Sequence, residues 1–444
     1  MIAGIARAAV LGAGKSGRAA AQALSASGAR VTIYDESDVN LPGYNVVATW
    51  DGTLPSESLD LVVTSPGFSR EHPSLRAAVE RGIPVWSEPE LAYRISKVPI
   101  IAITGTNGKS TTSYLTYRML QAAGFRAHLC GNIAGSDEDK PTTQAAMEAQ
   151  PGDVLVAEIS SFQLEWVDGF RPRIAVLTRL DQDHLNRYAG SFEEYAAVKR
   201  RIFRRQSAED FAVIGYAEVP EVASRRISFP RALPGDCAFH REGQMVLRLD
   251  GEEHALGEHS DIHTLSAADK DNALAAATAA WLFGARADAI RQALQGFRGL
   301  TSRMEVIGVH QGITFIDNSA ATNPTSCANA ITSSGPNTVP LIGGVAKGND
   351  PAPIVAACRT LERPAVLYGE MAGALAGLFA AAGVSHVELN TLDEAFASAL
   401  GLAKPGDVVL LAPGGASFDQ FGNFLERAER FRQLVLRHGG EVPR

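Results

Sequence analysis

The sequence predicts an α/β protein of three consecutive domains, and three observations carry that reading. Two glycine-rich turns, Gly12–Gly17 and Gly105–Gly108, each follow a short apolar strand and open a helix. Beyond residue 299 the chain again alternates apolar strands with helical segments. A length of 444 residues suits about three domains, each able to bury its own core.

Composition excludes several classes. Apolar residues make up 45% and charged residues 20%, the balance of a soluble globular chain. A net charge of −8, without a long basic run, argues against a nucleic-acid surface. The four cysteines, Cys130, Cys237, Cys327 and Cys358, are scattered and lack metal-type pairing. They read as reduced, mostly buried thiols of a cytosolic protein. The opening Met1-Ile-Ala-Gly-Ile-Ala-Arg7 runs straight into the strand Ala8–Leu11, so it reads as part of the first domain and not as a leader. No apolar stretch approaches the ~18 residues that span a membrane.

The first domain, residues 1–93, is predicted to be Rossmann-like. Ala8–Leu11 is followed by Gly12-Ala-Gly14-Lys15-Ser16-Gly17, an alanine-rich helix to Gly28, and the strand Arg30–Tyr34 ending at Asp35. That is a G-x-G-x-x-G turn in a βαβ unit with an acidic residue at the distance of a ribose or base contact. By itself it promises a nucleotide or phosphate, NAD included, and no particular activity. A strand from Leu59 to Thr64 ends in Ser65-Pro66-Gly67, at the strand end where ligands sit. Ser87, with Glu90 three residues on, reads as a capping box.

The central domain, residues 94–298, is predicted to be a parallel-sheet unit of the P-loop ATPase kind. Val98-Pro-Ile-Ile-Ala-Ile-Thr104 reads as a strand buried on both faces. Gly105, Thr106, Asn107, Gly108, Lys109, Ser110 and Thr111 then form a phosphate cradle, shortened because Ile103 stands where the long form has glycine. Leu115, Met119, Ala122 and Ala123 recur at helical spacing, and Gly124 closes the helix. Backbone N–H groups and the helix N-terminus favour polyphosphate, Lys109 can reach its terminal phosphates, and the Ser110 hydroxyl can ligate Mg²⁺.

Two further strands end on the same edge. Asp153–Ala157 leads to Glu158, and Ile174–Thr178 leads to Asp181, Asp183 and His184. These groups offer oxygen and nitrogen ligands for divalent cations near the phosphates. Lys199, on spacing alone, is a solvated helix charge. Between 205 and 260, pieces such as Phe211–Ile214 and Met245–Leu249 read as strands with little chemistry.

Gly-Thr-Asn-Gly-Lys-Ser-Thr (105–111), Glu-Ile-Ser-Ser-Phe-Gln-Leu-Glu (158–165) and Asp-His-Leu-Asn-Arg-Tyr (183–188) together resemble the Mur ligase superfamily. The resemblance covers essentially the whole chain, and is strongest to members that add D-glutamate to UDP-N-acetylmuramoyl-L-alanine in peptidoglycan precursor synthesis. It implies that the first domain holds the uridine diphosphate of the substrate through Gly14, Lys15, Ser16, Asp35, Ser65 and Gly67, with Asn132 and Gln163 contributing from the central domain. It implies ATP on Gly105–Thr111, one Mg²⁺ on Ser110 and Glu158, and a second at His184 and Lys199, the lysine carrying a carbamate. The implied reaction forms an acyl phosphate from ATP, which the incoming amine converts to an amide. Such chemistry needs charge neutralisation and positioning and no protein nucleophile.

In the third domain, residues 299–444, the resemblance assigns Arg303 and Asp317, with Asn272 of the central domain, to ATP. It assigns Thr322, Lys347, Ser417 and Phe424 to the amino acid. The chain departs from the family pattern at Ala320, where a lysine is usual, at Arg179 for asparagine, and at Ala268-Asp269 for His-Asn. Addition of L-glutamate or another amino acid is the nearest alternative. Folylpolyglutamate-type ligation, or a nucleotide- or NAD-binding protein built on Gly12–Gly17, are readings of other classes. No long apolar face suggests an obligate partner, so a monomer is expected.

Overall fold

Both glycine turns lie where a parallel strand, buried along its last four residues or more, gives way to a helix. The computed structural model describes residues 2, 4–133, 140–215, 221–262 and 267–439. Among these, twenty strands form three sheets. The first comprises β1 (Arg7–Leu11), β2 (Arg30–Tyr34), β3 (Val46–Val47), β4 (Leu61–Thr64) and β5 (Val85–Ser87), in the all-parallel order β3-β2-β1-β4-β5. β1 lies at the centre, so the turn that follows it opens where strand order reverses, the place where such sheets bind ligands.

The second sheet comprises β6 (Ile100–Thr104), β7 (Ala127–Gly131), β8 (Val154–Glu158), β9 (Ile174–Leu177), β10 (Phe211–Gly215) and β11 (Arg225–Phe229). It is extended by β12 (Cys237–Arg241), β13 (Gln244–Leu249) and β14 (Glu252–Glu258). All five residues of β6 are buried, as expected of a strand covered on both faces. It runs parallel between β8 and β9, with Ile103 opposite Glu158 and Thr104 opposite Leu177. That register places the cradle and the ends of β8 and β9 on one edge. β12, β13 and β14 pair antiparallel beyond β11.

Contacts divide the chain into two compact units. One takes in Met1–Leu180, Glu193–Ile262 and Asp271–Phe297, and carries the first two sheets. The other takes in Asp181–Phe192, His263–Lys270 and Arg298–Arg444. Its sheet comprises β15 (Glu305–His310), β16 (Ile313–Asp317), β17 (Thr338–Gly343), β18 (Ala365–Tyr368), β19 (His386–Leu389) and β20 (Val408–Gly414), in the order β15-β16-β20-β17-β18-β19. Only β15 runs antiparallel. The loops after β16, β20 and β17, three adjacent parallel strands, therefore emerge side by side. Among the described residues no helix is long and apolar enough to cross a membrane. All four cysteines are buried and free.

Two carboxylates join the first two sheets, and one corrects a sequence expectation. Ser87 is the N-cap of the helix Glu88–Ile95, but its side chain makes no capping bond. Glu90 does not reach back to it. Its carboxylate instead accepts from the backbone N–H groups of Asp168, Gly169 and Phe170 at 2.8–2.9 Å and from Arg94 Nε at 2.6 Å. Three amides and a guanidinium outweigh the one local N–H a capping box would offer. Glu88 is 1% exposed; its Oε1 accepts from the Thr143 N–H, while its Oε2 has no hydrogen-bond partner.

Burial raises the Glu88 carboxyl above the usual glutamate range, despite the bonds from Thr143 that favour the anion. A raised acid binds its proton more tightly in the folded chain than in the unfolded one. Its contribution is complete below the unfolded value and is lost as pH rises through the folded value. Glu88→Gln, which stays neutral, should flatten the fall in Tm as pH rises above the ordinary glutamate range. An unchanged slope of Tm against pH would mean that Glu88 is charged in the folded protein.

Candidate functional site

The cradle is built by two glycines that no other residue could replace without displacing a neighbour. Gly105 has φ +150°, and a Cβ there would lie 2.0 Å from Thr178 Oγ1. Gly108 has φ +87°, and a Cβ there would lie 2.1 Å from Asn272 Oδ1. Gly108 caps the helix Lys109–Ala122, whose first backbone N–H groups point into the loop region. Thr178 Oγ1 donates to the Asn107 carbonyl at 2.6 Å, and the Thr106 N–H donates to the Arg179 carbonyl at 2.7 Å. Lys109 folds back so that Nζ lies 3.0 Å from the Thr106 carbonyl. Ser110 and Thr111 are buried beneath it.

Lys199 is not a solvated helix charge. It is 2% exposed, and its Nζ donates to the Gly105 carbonyl at 2.8 Å and lies 3.5 Å from Thr104 Oγ1. Tyr195, one turn earlier on the helix Phe192–Arg200, places its hydroxyl 2.9 Å from Thr106 Oγ1 and its ring 5.0 Å from Lys199 Nζ. Both side chains grip the loop from one helix face. Sequence reasoning missed Tyr195 and Thr178; the i, i+4 spacing of Tyr195 and Lys199 was the available signal.

Glu158, at the end of β8, is 2% exposed. Its Oε1 accepts from Asn132 Nδ2 at 3.1 Å, whereas Oε2 is buried with no hydrogen-bond partner. A buried carboxylate oxygen left in this state is costly unless a cation or another donor completes it. With the Ser110 hydroxyl on the adjacent strand-to-helix turn, this donor set fits Mg²⁺, which takes one or two protein oxygens and completes its shell with phosphate and water. Among the described residues no group of three His, Cys, Asp or Glu side chains forms a self-sufficient metal cage. Lys199 as an ammonium has no lone pair to offer a metal; as a carbamate it would.

Gln163, expected on the substrate side, is mostly buried and its Oε1 accepts from the Ser160 N–H and Oγ, both at 2.9 Å. With Ser160 it forms the capping box of the helix Ser161–Leu164. Asn132 is exposed beside Glu158.

Around the first glycine turn, Asp35 Oδ2 accepts from the Ala13 N–H at 2.6 Å and Oδ1 from the Ser37 N–H at 2.9 Å. The carboxylate thus holds the turn itself. A Cβ on Gly17 would lie 1.8 Å from the Gly12 carbonyl oxygen, which is the close helix–strand approach the third glycine of the fingerprint permits. Ser65 Oγ is buried without a hydrogen-bond partner, and packs against Gly12. Gly14 and Lys15 are exposed and Ser16 half-buried at the start of the helix Lys15–Ala26, and Gly67 has open space around it. Tyr34, Trp50, Phe68 and His72 cluster at ring-centroid distances of 5.0–6.4 Å beside this turn.

In the second unit Thr322, Lys347 and Ser417 lie on the loops after β16, β17 and β20, and the first two are in contact. Lys347 Nζ lies 3.0 Å from Thr322 Oγ1 and 3.4 Å from Asp183 Oδ1. Asp183 also receives Asn323 Nδ2 and Asn349 Nδ2, each at 3.4 Å. Burial pulls the Lys347 ammonium below the usual lysine range, and the Asp183 carboxylate opposes that shift. Val345 and Ala416 exchange backbone hydrogen bonds at 2.8 and 2.9 Å, which brings Lys347 and buried Ser417 onto neighbouring turns. Phe424 opens the helix Phe424–Arg437, capped by Asn423.

Asp317 is fully buried and its Oδ1 accepts from Ser319 N–H at 2.9 Å and Oγ at 2.6 Å; burial raises its carboxyl above the usual range. Arg303 is half-buried at the turn before β15. His184 has φ +53° and follows Asp183, whose Oδ1 accepts from the His184 N–H at 2.9 Å. The pairing of Asp183 with Lys347 was not visible in sequence, because 164 residues separate them.

Comparison with known proteins covers all three sheets. Residues 6–87 match the model of the Mur ligase MurD-like N-terminal domain, 103–232 the Mur ligase middle domain, and 302–415 the Mur ligase glutamate ligase domain. A UDP-N-acetylmuramoylalanine–D-glutamate ligase of Geobacter metallireducens is 37% identical, over 98% of each chain. The protein of that name from Geobacillus kaustophilus is 36% identical, over 96% of each. Among solved structures, UDP-N-acetylmuramate–alanine ligase of Thermotoga maritima superposes with a TM-score of 0.61 at 16% identity, over 98% of this chain and 100% of that one. At these identities the solved structures speak for the fold alone.

Proposed function

This chain belongs to the Mur ligase family, and from that premise we propose that it adds D-glutamate to UDP-N-acetylmuramoyl-L-alanine at the expense of ATP. The observation that carries the reading is the likeness to ligases of this name at 34–37% identity over nearly the whole chain. The site geometry supports it. Residues 1–93 would hold the uridine diphosphate end of the acceptor, 94–298 the ATP, and 299–444 the amino acid.

In this reading the L-alanyl carboxylate attacks the γ-phosphorus of ATP, the bond to the ADP oxygen breaks, and an acyl phosphate forms. The amine of glutamate then attacks the acyl carbon, and inorganic phosphate leaves as the amide forms. Lys109 and the N–H groups of the Gly108–Thr111 turn would hold the phosphates in line. Glu158 and Ser110 would hold Mg²⁺, which supplies charge neutralisation on the transferring phosphoryl group when bound. Lys347 and Thr322 would receive one carboxylate of glutamate, and Ser417 the other. A glutamate carboxylate arriving at Lys347 would take the place that Asp183 holds in the structure.

Phosphate release from ATP and Mg²⁺ with UDP-N-acetylmuramoyl-L-alanine tests the whole reading. Release is expected on adding D-glutamate and not L-glutamate. Release with L-glutamate alone would keep the reaction and tie the alanine at position 320 to a different acceptor. No release with either would overturn the assignment.

A further inference from the structure

A hydrogen-bonded chain of titratable side chains outside the residues already assigned runs from β12 to the helix Ala267–Phe283, which borders the cradle. His240, on β12, has its Nε2 2.9 Å from Asp271 Oδ1 and its Nδ1 2.8 Å from His259 Nε2. The two rings meet edge to face at 4.7 Å. His259 is anchored in turn, its backbone N–H donating to the Gly243 carbonyl at 2.7 Å in the β12–β13 turn. Both contacts are satisfied when neutral His240 donates from Nε2 to the carboxylate and accepts at Nδ1 from His259.

Asp271 directly precedes Asn272 near the start of the helix Ala267–Phe283. Asn272 is the residue seated against Gly108, so closely that a Cβ on Gly108 would lie 2.1 Å from its Oδ1. Its backbone carbonyl also faces Thr112 Oγ1 at 3.5 Å, on the helix that opens from the cradle. Asp271 and Asn272 are the fifth and sixth residues of that helix and share its second turn. A tertiary tie there acts on the position of every side chain the turn carries.

We propose that His240 is a positioning residue for the nucleotide: held by His259, it fixes Asp271, and thereby keeps Asn272 seated against Gly108 of the phosphate loop. The inference rests on the reading of that loop as the ATP site. A pair of this exposure, 21% for His240 and 26% for Asp271, would ordinarily add little. Here the absence of slack between Asn272 and Gly108 converts a small shift of the turn into a change at the loop.

The test uses the full-length chain and ADP as the titrant. His240→Phe keeps a ring against His259 and removes both nitrogens. It should weaken ADP binding about fivefold, the size of one ordinary hydrogen bond, and raise the KM for ATP alike. KM for UDP-N-acetylmuramoyl-L-alanine and for glutamate should stay within about twofold, because the expected loss is confined to nucleotide binding. His240→Gln, which can still donate to Asp271, should recover most of the affinity. Wild-type affinity for ADP in His240→Phe, a uniform change in all three KM values, or equal losses in the Phe and Gln variants would each overturn the proposal. Failure of the wild-type chain to bind ADP would instead overturn the nucleotide reading of the loop.

Discussion

Lys109→Ala is expected to lower the rate of ATP-dependent phosphate release by about 10²–10³-fold, the usual cost of removing one preorganised donor from a developing charge. The side chain is only partly buried, and its Nζ bonds the loop carbonyl of Thr106. Losing that bond costs folding about 1 kcal/mol, so the fall in rate should far exceed any shift of the melting curve. The measurement is kcat beside a thermal melt of the same preparation. A variant with near-normal kcat would show that phosphate is clamped by the backbone alone. A large fall in Tm would show that Lys109 is instead a structural strut of the loop.

Lys199→Ala should be comparably damaging, for a reason that can be separated from the first. In the structure the ammonium is buried against the Gly105 carbonyl and beside the Tyr195 ring. Addition of CO₂ to the neutral amine, with loss of a proton, would make it a carbamate and turn a cation into a carboxylate-like ligand for the second Mg²⁺. The alanine variant should then lose about 10²-fold or more in kcat, as expected when a charge that positions a phosphoryl group is lost. Formate or acetate, supplied at tens of millimolar, should restore part of that rate by occupying the space of the carbamate. Loss without rescue would assign Lys199 the plainer task of holding the Gly105 carbonyl as an ammonium. Undiminished activity would remove it from the site.

Asp35 and Gln163 each have a local structural partner beside the substrate role the resemblance implies. Both were expected to touch substrate. The structure gives Asp35 the backbone of the glycine turn, and gives Gln163 the cap of its own short helix. Each carboxylate or amide retains further capacity, since one oxygen can accept twice and the Gln163 amide nitrogen can still donate. The local bonds explain why those residue types suit those positions, whatever the ligand. Glu90 went the other way: a local capping box was expected, and a distant loop claimed the carboxylate.

The amino-acid sequence by itself determined the alternation of buried parallel strands with helices, both glycine turns, the ends of β8 and β9, and the family whose motifs run through all three sheets. Those features are written in runs of neighbouring residues, because strand burial, helix capping and phosphate turns depend on spacing within a dozen positions. Only the tertiary structure decided that Lys199 and Tyr195 grip the loop, that Asp183 meets Lys347, and that His240 reaches Asp271 from the antiparallel extension. Each of these is a bond between side chains or loops separated by 31 to 164 residues. Such a bond depends on how strands are ordered in a sheet, which leaves no periodic trace in the chain. A buried lysine and a surface lysine look the same until the carbonyl beside one of them is in view.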